Sequence, residues 1–187
     1  MLDYNALLLS FIINVPRSML SKIKPHLIEA VASLERDDHS YVYAPNYNEV
    51  SFKRGQAIAN LSNFLPIEPF RLDIALKHTL LVMQQEDPDI HTYIFVILER
   101  YDPDKESYGL IKNLNTDIKK NLGYHFILCN MGNADALKDV CILHPRCHYL
   151  KIDDIQQMGL QLLHTYHPSE EKGQCDQNIS SKTTTQN

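Results

Sequence analysis

Two stretches of this chain, Leu7 to Ile13 and Tyr93 to Leu98, are apolar at nearly every position and no longer than a β-strand. A strand with one face in water alternates apolar and polar residues, whereas one that is apolar on consecutive positions is buried on both faces. The central strands of a parallel sheet, covered by helices on either side, are of this kind. Few folds accommodate two such runs, and those that do need helices between the strands.

The intervening segments supply them. Ser21 to Glu35 carries Ile23, Leu27, Ile28, Val31 and Leu34 at helical spacing, and Arg71 to Gln85 carries Leu72, Ala75, Leu76, Thr79, Leu80 and Met83 on one face. Pro69 precedes that second helix and Asp87-Pro88 closes it. Beyond Leu98 the pattern predicts a helix over Ser107 to Leu122 with Gly123 as a left-handed cap. It then predicts a strand over Tyr124 to Cys129, a short helix over Ala134 to Leu143, a strand over His148 to Ile152 and a last helix over Asp154 to Tyr166. Ser40 to Ala44 and Val50 to Lys53 flank Pro45-Asn46-Tyr47-Asn48 and are expected to pair as an antiparallel edge. The expected class is α/β: a doubly wound, mostly parallel central sheet with one antiparallel edge strand and helices on both faces. In such sheets ligands bind outside the carboxyl ends of the strands, at Asn14 to Ser18, Glu99 to Asp104 and Asn130 to Asn133.

With 187 residues, 44% of them hydrophobic and 22% charged, the chain suits one compact domain, residues 1–166. From His167 the composition turns to Ser, Thr, Gln, Lys, Glu and Asn, so residues 167–187 are expected to be a disordered polar tail. No apolar run approaches the roughly 20 residues of a bilayer span. Asp3 and the lack of a basic lead before Ala6 argue against a signal peptide. A net charge of −5 argues against broad binding to nucleic-acid phosphates, leaving Lys53-Arg54 and Lys119-Lys120 as short basic pairs. Four thinly spread cysteines, with Cys129 in an apolar strand and Cys175 in the tail, suit a reducing compartment, and cytoplasmic location is expected.

Catalytic signatures are sparse. The six glycines are not clustered into a phosphate loop, and no Gly-x-Ser-x-Gly elbow occurs. His78, His91 and His125 have no partner identifiable from sequence. No enzyme activity and no cofactor are expected. The enzymatic alternative is a metal-dependent hydrolase of phosphate esters around Asn14, Glu99 and Asp102, which lacks the paired carboxylates that hold a catalytic Mg²⁺. Cys141, His144, Cys147 and His148 are spaced Cys-x2-His-x2-Cys-His, a pattern open to tetrahedral zinc. Cys141 also continues the apolar face of Ala136, Leu137 and Val140, and Pro145 fixes a turn, so satisfied structural residues are the favoured reading.

The order of four segments carries a resemblance. Phe11-Ile-Ile-Asn-Val-Pro-Arg-Ser-Met19 ends the first strand, and Phe70-Arg-Leu-Asp-Ile-Ala-Leu76 opens the second long helix. Tyr93 to Leu98 leads into Glu99-Arg100-Tyr101-Asp102, and Tyr124 to Gly132 precedes Ala136-Leu137-Lys138-Asp139. From Ala6 to Tyr166 this resembles the von Willebrand factor A (vWA) domain. The corresponding family features are an apolar strand with Asp-x-Ser-x-Ser-Met, a Thr before a helix containing Ala-Leu, an apolar strand with Thr-Asp-Gly, and a strand ending in Gly before a helix with Leu-Lys.

The resemblance implies that the family's metal-ion-dependent adhesion site, built from Asp, Ser, Ser, Thr and Asp, reads Asn14, Pro16, Ser18, Phe70 and Arg100 here. Glu99 or Asp102 stands in for the last carboxylate if the register shifts by one or two residues. An amide binds a hard cation more weakly than a carboxylate, and proline offers no side-chain ligand, so the site is degenerate. The resemblance further implies a non-catalytic protein-interaction or scaffold role in a larger intracellular assembly. The candidate partner-binding residues are Asn14, Arg17, Ser18, Phe70, Arg71, Glu99, Arg100 and Asp102. Arg17 or Arg100 can replace the ion's charge and fork a partner's carboxylate; alternatively, Asn14 and Ser18 merely satisfy the loop and cap the next helix. Homo-oligomerisation through Tyr41, Tyr43, Tyr47 and Phe52 is a further expectation, weighed against these aromatics being a core face.

Overall fold

The computed structural model describes residues 6–34, 39–43, 54–66, 68–86 and 90–152. Strands and helices alternate along them as β1 (Leu7–Asn14), α1 (Arg17–Ala32), β2 (His39–Val42), α2 (Arg54–Asn63), α3 (Leu72–Met83), β3 (His91–Arg100), α4 (Pro103–Lys120), β4 (His125–Asn133), α5 (Leu137–Cys141) and β5 (Cys147–Lys151). The strands form one sheet in the order β2-β1-β3-β4-β5, and every pairing is parallel. The two apolar runs are central neighbours, paired from Leu7↔His91 to Asn14↔Leu98.

Consecutive residues of these strands serve two separate cores, which is why neither run alternates in polarity. Leu8, Ile12, Ile94, Val96, Leu98, Phe126 and Leu128 pack with α3, α4 and α5. Leu9, Phe11, Ile13, Phe95, Ile97, Ile127 and Cys129 pack with α1 and α2, where the Phe11 and Phe95 rings stack 5.5 Å apart.

The expected antiparallel edge is not seen among the described residues. β2 runs parallel to β1, from Leu8↔His39 to Phe11↔Val42, because a helical crossover returns the chain in its original direction. Tyr41 and Tyr43 are buried in the core on the α3 side and are not free edge anchors. Tyr47, Phe52 and the stretch Val50 to Lys53 lie outside the described residues, as do the expected helix from Asp154 to Tyr166 and the tail. α2 is an element beyond those expected; its Ala57 and Leu61, with Phe64 just past its end, form a buried face.

α4 begins at Pro103, earlier than the periodicity predicts. Asp102 caps it by accepting from the Asp104 N–H at 3.1 Å, and Glu106 reaches back to accept from the Asp102 N–H at 2.8 Å. Asp104 and Glu106 in its first turn and Lys119 and Lys120 in its last complement the helix dipole. The left-handed residue that ends it is Asn121 (φ 52°), with Gly123 (φ 79°) turning the chain again. α4 crosses α3 closely at Gly109, where a Cβ would collide with the Cβ of Asp73. Asn113 bridges the two helices there, donating to the carbonyls of Asp73 at 3.2 Å and Gly109 at 2.8 Å. No helix among the described residues is long and apolar enough to cross a membrane.

Candidate functional site

After β1 the chain crosses to β2 on one side, while β3, β4 and β5 extend the sheet on the other. This reversal makes the carboxyl ends of β1 and β3 a topological switch point, where open α/β sheets form a ligand crevice. The pairs Asn14↔Leu98 and Arg100↔Asn133 bring the ends of β1, β3 and β4 together. The contact between Asp73 and Gly109 brings the start of α3 to the same end, so Phe70 and Arg71 join Asn14, Arg17, Ser18, Glu99, Arg100 and Asp102 there.

Their environments differ. Asn14 is half-buried, whereas Pro16, Arg17 and Ser18 are exposed. The N-cap of α1 is Pro16, with no side-chain cap hydrogen bond, so the Asn or Ser cap expected there does not form. Ser18 accepts from the Ser21 hydroxyl through its own carbonyl, at 2.9 Å. Phe70 is half-buried against the core on the α3 side. Arg71 grips Asp73 with two nitrogens, at 2.8 and 3.3 Å. Glu99 pairs with Arg100 at 2.9 Å. Asp102 pairs with Lys105 at 3.0 Å, and that hydrogen bond is the main reason its carboxyl is held below the ordinary range. Arg17 alone of the three candidate arginines has no carboxylate partner among the described residues.

Asn130 organises the end of β4. Fully buried, it accepts through Oδ1 from the Gly132 N–H at 2.8 Å and the Ala134 N–H at 3.0 Å. Its Nδ2 donates to Asp135 at 3.1 Å and to the Tyr149 hydroxyl at 3.0 Å. Asp135 also accepts from Tyr149 and Lys151, whose hydrogen bonds, Lys151's first, lower its pKa. Gly132 passes so near β3 that a Cβ there would stand 3.0 Å from the Glu99 carbonyl oxygen. The sequence placed Asn130 in the crevice, but nothing in it marked this amide as the tie between β4 and β5.

A second network lies away from the crevice. His144 and Asp117 are wholly buried, with His144 Nε2 2.8 Å from an Asp117 oxygen. Because His144 Nδ1 accepts from the Arg146 N–H at 3.1 Å, the ring is the neutral Nε2–H tautomer and donates to Asp117. Asp117 further accepts from the Tyr124 N–H at 3.1 Å and lies 3.5 Å from Nη2 of Arg146. Both imidazole nitrogens are therefore committed, and the pair ties the end of α4 to the loop before β5. Residues 27 apart in sequence carried no signal for it.

These contacts also redistribute the residues of the zinc pattern. The Cys141 and Cys147 sulfurs meet at 2.7 Å, but His144 is engaged by Asp117. His148 follows Cys147 in a strand and so points to the opposite face, where its ring lies parallel to that of His125 with centroids 6.5 Å apart. No group of three or more His, Cys, Asp or Glu among the described residues is placed to hold a metal ion. Of the other candidate bases, His78 bonds the Tyr41 hydroxyl at 3.2 Å, and His91 is exposed at the start of β3. His125 stacks on Tyr93 at 4.9 Å; burial first, then the charges of His148, Arg146 and His91, lower its pKa. Lys119 and Lys120 are exposed, and Lys120 donates to Gln84.

No protein-family model and no curated protein matches this chain. Solved structures do. Proximal thread matrix protein 1 from the mussel byssus superposes with a TM-score of 0.62 at 10% identity, over 85% of this chain and 44% of that one. The manganese-loaded TRAP protein of Plasmodium vivax gives 0.60 at 13% identity, over 87% and 73%. The N-terminal domain of TFIIH p34 gives 0.59 at 11% identity, over 86% and 98%. The chain thus spans less than half of the mussel protein. At such identities the likeness is one of fold, and it supports a vWA-like α/β architecture for this chain.

Proposed function

We propose that this chain is a non-catalytic protein-interaction module, a scaffold subunit of a larger intracellular assembly, that receives an acidic side chain of its partner where β1, β3 and β4 end. The observation that carries this reading is Arg17, exposed at the start of α1 and without a carboxylate partner among the described residues. A guanidinium forks a carboxylate with two charge-assisted hydrogen bonds, and the uncapped start of a helix adds positive potential.

Divalent metal does not fit the donors at this end. A hard cation needs converging carboxylates and hydroxyls. Here the family positions carry the amide of Asn14, the ring of Pro16, the hydroxyl of Ser18 and the phenyl ring of Phe70. The neighbouring carboxylates Glu99 and Asp102 are engaged by Arg100 and Lys105. On this reading the chain parts from the manganese-loaded Plasmodium protein in chemistry while keeping its fold. A scaffold role agrees with the names of the other two structures, a thread matrix protein and a domain of TFIIH p34. Against catalysis stands the commitment of both His144 nitrogens inside a sealed pair. The thin spread of four cysteines along the sequence accords with a reducing, cytoplasmic setting.

The test is capture of partner proteins on the immobilised full chain, comparing wild type, Arg17→Ala and Arg100→Ala, each in chelator and in Mg²⁺ or Mn²⁺. Arg17→Ala is expected to weaken capture about tenfold or more, in keeping with loss of a charged hydrogen bond of about 1.5–3 kcal/mol, with chelator leaving the wild type unchanged. A parallel thermal-shift titration should show no stabilisation by Mg²⁺, Mn²⁺ or Ca²⁺. Capture that vanishes in chelator and returns with Mg²⁺ or Mn²⁺ would restore the metal-bridged mode and overturn the proposal.

A further inference from the structure

Cys141 closes α5 and Cys147 opens β5, and the loop between them is held at several points. The Cys147 N–H donates to the His144 carbonyl at 3.2 Å, and the His144 N–H donates to the Cys141 carbonyl at 3.2 Å. The Phe126 N–H donates to the Arg146 carbonyl at 2.9 Å, and the buried His144 ring is anchored on Asp117. Held this way, the two sulfurs lie 2.7 Å apart as free thiols, a short step from the covalent separation of about 2.05 Å. Cys147 is partly exposed at the sheet edge, within reach of a small oxidant, while Cys141 sits behind it against the core.

We propose that Cys141 and Cys147 are a reversible dithiol/disulfide pair, a redox modification site that locks the loop between α5 and β5 when oxidised. With glutathione disulfide as oxidant, the Cys147 thiolate attacks one glutathione sulfur, forming a mixed disulfide and expelling one glutathione thiolate. The Cys141 sulfur then attacks Cys147 Sγ, forming the intramolecular bond and expelling the second glutathione. Two protein thiols are oxidised, one glutathione disulfide is reduced to two thiols, and the two protein protons end on them. The cross-link closes a short loop in a part of the chain already ordered, so the folded state accepts it with little rearrangement. The hydrogen bond that the Cys147 thiol donates to Cys141 Sγ, then burial, raises the Cys147 pKa, so closure is slow at neutral pH and accelerates with rising pH as the thiolate fraction grows.

The full chain, folded, is equilibrated in glutathione buffers from reducing to oxidising, alkylated and digested with trypsin. Cleavage after Lys138, Arg146 and Lys151 leaves the two cysteines on separate peptides, residues 139–146 and 147–151. The expected product in oxidising buffer is these two peptides joined, two hydrogens lighter than their sum, with Cys129 untouched and the bridge lost on return to reducing buffer. The oxidised protein should melt several degrees higher. Cys141→Ser should stop at a glutathione adduct on Cys147, which identifies the resolving thiol. Recovery of both peptides singly alkylated at oxidising equilibrium, or a wild-type glutathione adduct on Cys147 that persists beside a free Cys141 thiol, would overturn the proposal.

Discussion

Gly109→Ala sets two effects of opposite sign against each other. Within a helix, alanine is favoured over glycine by about 0.8–1.0 kcal/mol, so α4 taken alone would gain. In the folded chain the new Cβ collides with Asp73 Cβ and stands 3.4 Å from its Cγ and 3.5 Å from its Cα. A Cβ is fixed by its backbone and cannot rotate aside, so α3 and α4 have to separate. That movement strains the Asn113 bridge, whose bond to the Asp73 carbonyl is already 3.2 Å. Overpacking costs about 1–3 kcal/mol and a weakened hydrogen bond about 0.5–1.5 kcal/mol. Set against the helical gain, the net loss is about 0.5–4 kcal/mol. In urea unfolding it should appear as a lower midpoint at unchanged slope, and in melting as a fall of about 2–4 °C per kcal/mol for a chain of this size. Asp73→Gly removes the colliding atom, so a double-mutant cycle should show strong coupling between the two positions. A Gly109→Ala protein about 1 kcal/mol more stable than wild type, the value propensity alone predicts, would refute the close crossing of α3 and α4.

Other substitutions probe other parts of the fold. Asn130→Asp keeps the shape but replaces two donated hydrogen bonds with a carboxylate facing Asp135, and should lower stability by about 2–4 kcal/mol in urea unfolding. Thr79 is fully buried with a hydroxyl that has no hydrogen-bond partner among the described residues; Thr79→Val should raise stability by about 1 kcal/mol, again read from the urea midpoint. His125 has a pKa below its ordinary 6.5 in the folded state, so the unfolded chain takes up its proton first and stability falls as pH drops below 6.5, levelling once the folded ring also protonates. The melting temperature followed through that range should decline less steeply in His125→Gln, and identical profiles would remove His125 as a cause.

The strands were the most legible part of the chain because burial on both faces writes itself as unbroken apolar runs, and the helical spacing between those runs left a parallel sheet as the economical arrangement. β2 was legible only in part: its residues read as one strand of an antiparallel edge, yet it pairs in parallel with β1, while the expected partner, Val50 to Lys53, lies outside the described residues. Pro45-Asn46-Tyr47-Asn48 has the composition of a tight turn, and local turn chemistry carries no information about which distant strand Ser40 to Val42 will join. α2 was within reach, since Ala57, Leu61 and Phe64 repeat at helical spacing, but ten residues with glycine and two asparagines make a weak pattern. At the site, residue types could be placed at one end of the sheet from strand order alone. Their commitments could not: whether Glu99 is free or held by Arg100, or His144 by Asp117, depends on side-chain geometry that spacing does not encode. The same limit separates the zinc pattern from the observed pair, since Cys147 and His148 are adjacent in sequence yet belong to opposite faces of a strand.

The two-core arrangement around β1 bears on how that strand finds its alignment. Where one face meets water, sliding a strand by a residue exposes its apolar side chains, and polarity enforces the register. In Leu7-Leu8-Leu9-Ser10-Phe11-Ile12-Ile13 such a slip would leave apolar side chains on both faces, so polarity penalises it little. Bulk must discriminate instead: Phe11 finds its stacking partner in Phe95 only in the observed alignment, while the small Ser10 fills the matching position on the opposite face. Errors in threading this sheet are therefore errors of volume, and exchanging the sizes at positions 10 and 11 would misalign the centre of the molecule without changing its hydrophobicity.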